Sequence, residues 1–116
     1  MAEDQWPGML GFGALPAAEM QVYAADASAF LKALSHEGRL MILYHISAGE
    51  KSVTELEDLL GVRQAAVSQQ LARLRSEGLV ATRRDGKAIY YSIRDLRVRV
   101  MMSVVFDMFA GPKPLT

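Results

Sequence analysis

The sequence predicts a mainly α-helical domain with one β-hairpin, in the order α-α-α-α-β-β-α. Three observations predict it. Apolar residues recur at spacings of three and four through most of residues 17–76. The period then changes to alternation around an Asp-Gly pair at 85–86. A last helical stretch, 98–109, is apolar almost all round.

Residues 1–15 hold Pro7, Gly8, Gly11 and Gly13 without a sustained period, and read as a flexible N-terminal arm. The folded domain is expected over 16–110, with 111–116 a short tail. Residues 17–34 are rich in Ala and other helix formers, and Met20, Tyr23, Ala27, Phe30, Leu31 and Leu34 fall on one stripe. Ser35 is placed to cap a second helix, HEGRLMILYHISAG, with Leu40, Leu43, Tyr44 and Ser47 on one face and Gly49 at its end. Ser52-Val-Thr-Glu55 has capping-box spacing, so a short helix TELEDLL follows and stops at Gly61. A fourth helix spans roughly 64–76, and the Gly61-Val62-Arg63 connection makes a helix-turn-helix of the pair. Leu79–Arg84 and Lys87–Ile93 flank Asp85-Gly86 as a hairpin. Asp95 is placed to cap the last helix. A terminal helix with apolar residues on every face has too much to bury in one small subunit, which points to a homodimer through the first and last helices.

Composition narrows the function. The 116 residues fit one domain, and 51% are hydrophobic, enough for a core. No run is long enough to span a membrane, and the acidic start does not read as a signal peptide, so a cytoplasmic protein is expected. The absence of Cys removes disulfides, thiolate metal sites and thiol catalysis together. No Gly-rich phosphate loop or Ser-His pair stands in a recognisable context, so neither an enzyme nor a cofactor is expected. The formal charge is zero but uneven. Residues 1–61 hold nine acidic and three basic residues, whereas 62–97 hold eight basic and three acidic. A basic half suggests a polyanion partner.

The fourth helix sharpens that suggestion. Val67, Leu71 and Leu74 face inward, leaving Gln64, Ser68, Gln69 and Gln70 near its N-terminal half. That half is what a recognition helix inserts into the major groove. Gln matches the donor and acceptor edge of adenine, Ser pairs with several bases, and the Ala65 and Ala66 methyls suit a thymine methyl. Arg73 and Arg75, further along, suit phosphate. The hairpin carries Arg83, Arg84 and Lys87 around its tip, a basic wing suited to the minor groove. Each feature alone is compatible with a solvated surface. Turn spacing, polar tip and basic wing together describe a winged helix-turn-helix on double-stranded DNA. The alternative from another class is a winged-helix module whose polar face meets a protein.

Here the chain resembles the ArsR family of bacterial winged-helix repressors over roughly residues 25–110. The resemblance is carried by ALSHEGRLMIL (33–43), SVTELEDLLGV (52–62), AAVSQQLARLRSEGLV (65–80) and RRDGKAIYYSI (83–93). It implies a homodimeric repressor on a palindromic operator, with the fourth helix and wing on DNA. The family usually carries Ser or Thr just before the recognition helix, and Arg63 stands there instead. That costs roughly 1 kcal/mol of capping but sets a cation near a phosphate.

The wording is most similar to the persulfide- and oxidant-sensing branch of the family. Its two cysteines would align with Tyr44 and with Ala110 or a close neighbour, which form no sulfur bridge. The family's metal sites fare no better. Ser52 and Thr54 replace the cysteines of one, and neither Met108 nor Gly111 completes the other around Asp95, so no metal is expected. His36 and His45 are more suited to capping or packing than to sharing a metal. Three modes of control stay open. The repressor is constitutive, or a small molecule binds near Tyr44 with Phe106 and Phe109 as walls. The third is oxidation of Trp6 and the interfacial methionines.

Overall fold

The computed structural model describes residues 16–111; the expected arm at 1–15 and residues 112–116 of the tail lie outside the described residues. The elements are α1 (Ala17–Leu34), α2 (Glu37–Ser47), β1 (Lys51–Ser52), α3 (Val53–Leu60), α4 (Gln64–Ser76), β2 (Val80–Asp85), β3 (Ala88–Ile93) and α5 (Leu96–Ala110). Two compact units divide the chain between Lys32 and Ala33.

The first described unit is most of α1. Its N-terminal amides at Glu19 and Met20 donate to the Pro16 carbonyl at 3.0 and 3.1 Å. Met20, Tyr23 and Leu31, three members of the expected stripe, are exposed, as is Val22.

The second unit holds the core of Ile42, Leu43, Ile46, Leu56, Val67, Leu71, Leu74, Leu79, Val80, Val98 and Met102. α2 starts one residue later than expected. His36, not Ser35, is the N-cap, and its Nδ1 accepts from the Gly38 amide at 3.0 Å. The buried face of α2 also differs. Ile42, Leu43 and Ile46 are buried, whereas Tyr44 is half exposed. Apolar residues surround this helix, so periodicity alone leaves the stripe undetermined and the neighbouring helices select it.

α3 opens on the expected capping box. Ser52 Oγ accepts from the Glu55 amide at 3.1 Å, and Glu55 Oε1 accepts from the Ser52 amide at 2.9 Å. Replacing Ser52 with Ala should cost about 1 kcal/mol. Thermal unfolding should show a Tm lowered by a few degrees (about 4–8 °C per kcal/mol for a domain near this size).

The hairpin is part of a three-stranded antiparallel sheet of order β1-β3-β2. β1 was not expected. It pairs Lys51 with Tyr91 and Ser52 with Tyr90. The turn also shifts by one residue. Asp85 pairs with Ala88, so Gly86 and Lys87 form the tip rather than Asp85 and Gly86. Gly86 has φ +62° and no described non-glycine residue has a positive φ. Positive φ at the first tip residue alone is the mark of a type II′ turn, which favours Gly there.

α4 ends in a Schellman motif. Gly78, at φ +76°, donates to the Arg75 carbonyl at 2.9 Å, and Leu79 donates to the Leu74 carbonyl at 3.0 Å. α5 begins at Asp95, whose carboxylate accepts from the Arg97 amide at 2.9 Å. Val98 and Met102 anchor α5 in the core, whereas Leu96, Met108 and Phe109 are exposed. Among the described residues no helix is long and apolar enough to cross a membrane.

Candidate nucleic-acid interface

Recognition geometry is set first by what α4 buries. Val67, Leu71 and Leu74 are fully buried. With about 100° of rotation per residue, Gln69 then falls about 200° from Val67, on the outer pole, with Ser68 and Gln64 on one flank. Gln64, Ala65, Ser68 and Gln69 are all exposed. They form one polar surface at the start of the helix.

Gln70 is not part of that surface. It is half-buried on the flank toward α2, where Arg39 Nη1 donates to its Oε1 at 3.0 Å. Arg39 Nε also donates to the Ala33 carbonyl at 2.6 Å. Gln70 Nε2 lies 3.5 Å from His36 Nε2. Because His36 Nδ1 already accepts from Gly38, its neutral ring carries the proton on Nε2, and two donors face each other there. The pair is a contact rather than a hydrogen bond. Sequence periodicity placed Gln70 near the reading tip; the partner that turns it inward is 31 residues away.

Arg63 is the N-cap of α4 and makes no side-chain capping bond. No acidic residue occupies the first turn, so the helix start keeps its positive end uncompensated. Such an end, with an exposed arginine beside it, suits a phosphate. Arg73 is 3.6 Å from Glu77, one turn on, so its charge is partly answered within the helix.

The wing presents Arg83, Arg84 and Lys87, all exposed. Arg84 and Lys87 have no acidic partner within salt-bridge distance among the described residues. Arg83 differs. It donates from Nη2 to Glu50 Oε1 at 2.5 Å and from Nε to Glu50 Oε2 at 3.2 Å, and its guanidinium carbon lies 4.8 Å from the centre of the Tyr90 ring. The hydrogen-bonded guanidinium holds the Glu50 carboxyl below the usual glutamate range. Nothing in the local sequence signals this partner, which comes from the loop before the unexpected β1.

The residues that align with sensing positions of the family lie elsewhere. Tyr44 packs edge-to-face on Phe106, ring centres 5.3 Å apart, while Phe109 and Ala110 are exposed. A cavity of about 330 Å³ opens between α2, α3 and α4, lined by Met41, Ile42, Leu60, Val62, Ala66 and Gln70 among others. Among the described residues no three His, Asp or Glu side chains gather as a metal would require.

Comparison with known proteins agrees with this arrangement. Residues 36–82 match the family described as "Bacterial regulatory protein, arsR family". The Biofilm growth-associated repressor of Agrobacterium fabrum is 36% identical over 104 residues, covering 90% of this chain and 89% of that one. The crystal structure of the transcriptional repressor BigR from Xylella fastidiosa superposes with a TM-score of 0.78 at 35% identity, covering 84% of this chain and all of that one. Reduced HlyU from Vibrio cholerae gives a TM-score of 0.75 at 36% identity, over 80% of this chain and 98% of its own. With its helix-turn-helix, wing and relatives aligned along nearly their whole length, the chain belongs to the ArsR family of bacterial regulatory proteins.

Proposed function

We propose that this DNA-binding regulator is a homodimeric, cytoplasmic repressor of a palindromic operator, controlled neither by thiols nor by metal. One observation carries the DNA reading: Gln64, Ser68 and Gln69 form an exposed polar tip, held out by the burial of Val67, Leu71 and Leu74. The tip reads base edges, and Arg63, Arg84 and Lys87 hold the phosphate backbone. The exposed apolar residues of α5 (Leu96, Met108, Phe109) and of α1 (Met20, Tyr23, Leu31) support a second copy as the partner. In such a dimer two recognition helices would sit about one DNA turn, ~34 Å, apart.

The test is retardation of upstream genomic duplex by purified protein, against a scrambled duplex of equal length, over a salt series. Preference for the upstream duplex, with affinity falling steeply as salt rises, supports the reading. Equal affinity for both duplexes rejects sequence-specific reading. Light scattering at micromolar concentration should give a dimer, and a monomer would reject that part. A Vibrio cholerae relative is named a transcriptional activator, so a promoter fusion supplies the sign. Expression that falls when the protein is supplied makes it a repressor.

A further inference from the structure

The two wing arginines are not equivalent. Opposed residues of an antiparallel pair share a face, and Tyr90 is opposed by Arg83 on β2 and by Ser52 on β1. Glu50, two residues before Ser52, projects to that same face. The three elements thereby bring a carboxylate, a guanidinium and an aromatic ring into one layer. Within it Nε and Nη2 of Arg83 both donate to Glu50, Nη1 lies 3.9 Å from Asp85 Oδ2, and the guanidinium packs on Tyr90. Every guanidinium nitrogen of this arginine therefore faces a carboxylate. Arg84 alternates to the opposite face, where no acidic partner lies within salt-bridge distance among the described residues.

Resting on the DNA-binding reading above, we propose that Glu50 withholds Arg83 from DNA and so sets the effective charge of the wing. A phosphate that engages Arg83 must displace a two-point carboxylate already in place. It must also accept the freed carboxylate as a neighbour. Arg84 and Lys87 meet neither obstacle. Glu50 thus keeps one cation per protomer out of the sequence-independent part of the affinity, leaving a larger share to the base-reading tip. The loop before β1 becomes a determinant of specificity.

The experiment uses the full chain with Glu50→Gln and Glu50→Ala, measured by fluorescence anisotropy on operator and scrambled duplexes over a salt series. Circular dichroism confirms that each variant is folded; two replacements at this exposed position guard against the failure of one. Both should bind both duplexes about fivefold or more tighter at low salt, with a log–log salt slope steeper by ~0.9 per protomer. Arg83→Ala should change the affinity of the parent chain by less than threefold, and should abolish the gain when combined with Glu50→Gln. Weaker binding by Glu50→Gln would overturn the proposal, since Glu50 would then be aiming Arg83 at DNA. An equal gain in the double variant would overturn it too, since Glu50 would then act by repelling DNA directly. An unchanged affinity and slope in both Glu50 variants overturns it while leaving the DNA reading intact. Failure of the parent chain to bind either duplex overturns the DNA reading itself.

Discussion

Replacing Gln69 with Ala lowers affinity for the operator by roughly 10- to 100-fold and leaves Tm unchanged. The magnitude is that of one bidentate base contact, about 1–3 kcal/mol. The neutrality toward folding follows from position. Gln69 is exposed on the outer pole of α4, its side chain makes no hydrogen bond to any described residue, and Ala propagates a helix at least as well as Gln. Anisotropy on operator and scrambled duplexes separates the roles. Loss confined to the operator identifies a base contact, whereas an equal loss on both would place Gln69 on phosphate. No loss on either would remove it from the interface. Its neighbour Gln70 makes the contrast, because its amide is engaged by Arg39 behind the helix.

Leu71→Ala is expected to destabilise the fold by about 2–5 kcal/mol, the range for deleting a fully buried leucine side chain. Leu71 is 0% exposed and sits between Val67 and Leu74 on the stripe that fixes the rotation of α4. Against a total stability of about 5–15 kcal/mol for a domain, that is a large fraction. Urea unfolding should show the midpoint falling with the slope nearly constant. A loss below about 1 kcal/mol would mean that α2 and α3 close on the vacated space, which a core packed at ordinary density resists. The same variant should weaken DNA binding only through the unfolded fraction, so affinity per folded molecule stays near that of the parent.

Elements governed by neighbours in sequence were the ones readable from it. α4 begins and ends where the Gly61 and Gly78 stops and the Val67, Leu71, Leu74 spacing place it, and the Ser52–Glu55 box is local by construction. The uncapped Arg63 was legible because a cap is a one-residue property. Features governed by distant partners were not. β1 is two residues long and exists because β3 offers it a ladder, so no period announces it. His36 displaced Ser35 as a cap because its ring reaches the Gly38 amide, a choice between two competent neighbours. The buried face of α2 is not fixed by periodicity, because apolar residues surround the helix. Gln70 and Arg83 looked like free polar groups in the sequence. Their partners, Arg39 and Glu50, lie 31 and 33 residues away, and only the fold brings them together.

α2 is fastened at both ends. Near its start Arg39 is bonded to Gln70 of the reading helix. At its finish Arg99 Nη1 of α5 donates to the Ser47 carbonyl at 2.7 Å, and Tyr44 rests on Phe106 of the same helix. An eleven-residue helix is a stiff rod ~16 Å long. Phe106 of α5 and Gln70 of α4 thus both bear on side chains of one continuous helix. The helix that bears the exposed polar face and the helix that ends the described chain are tied to opposite ends of α2.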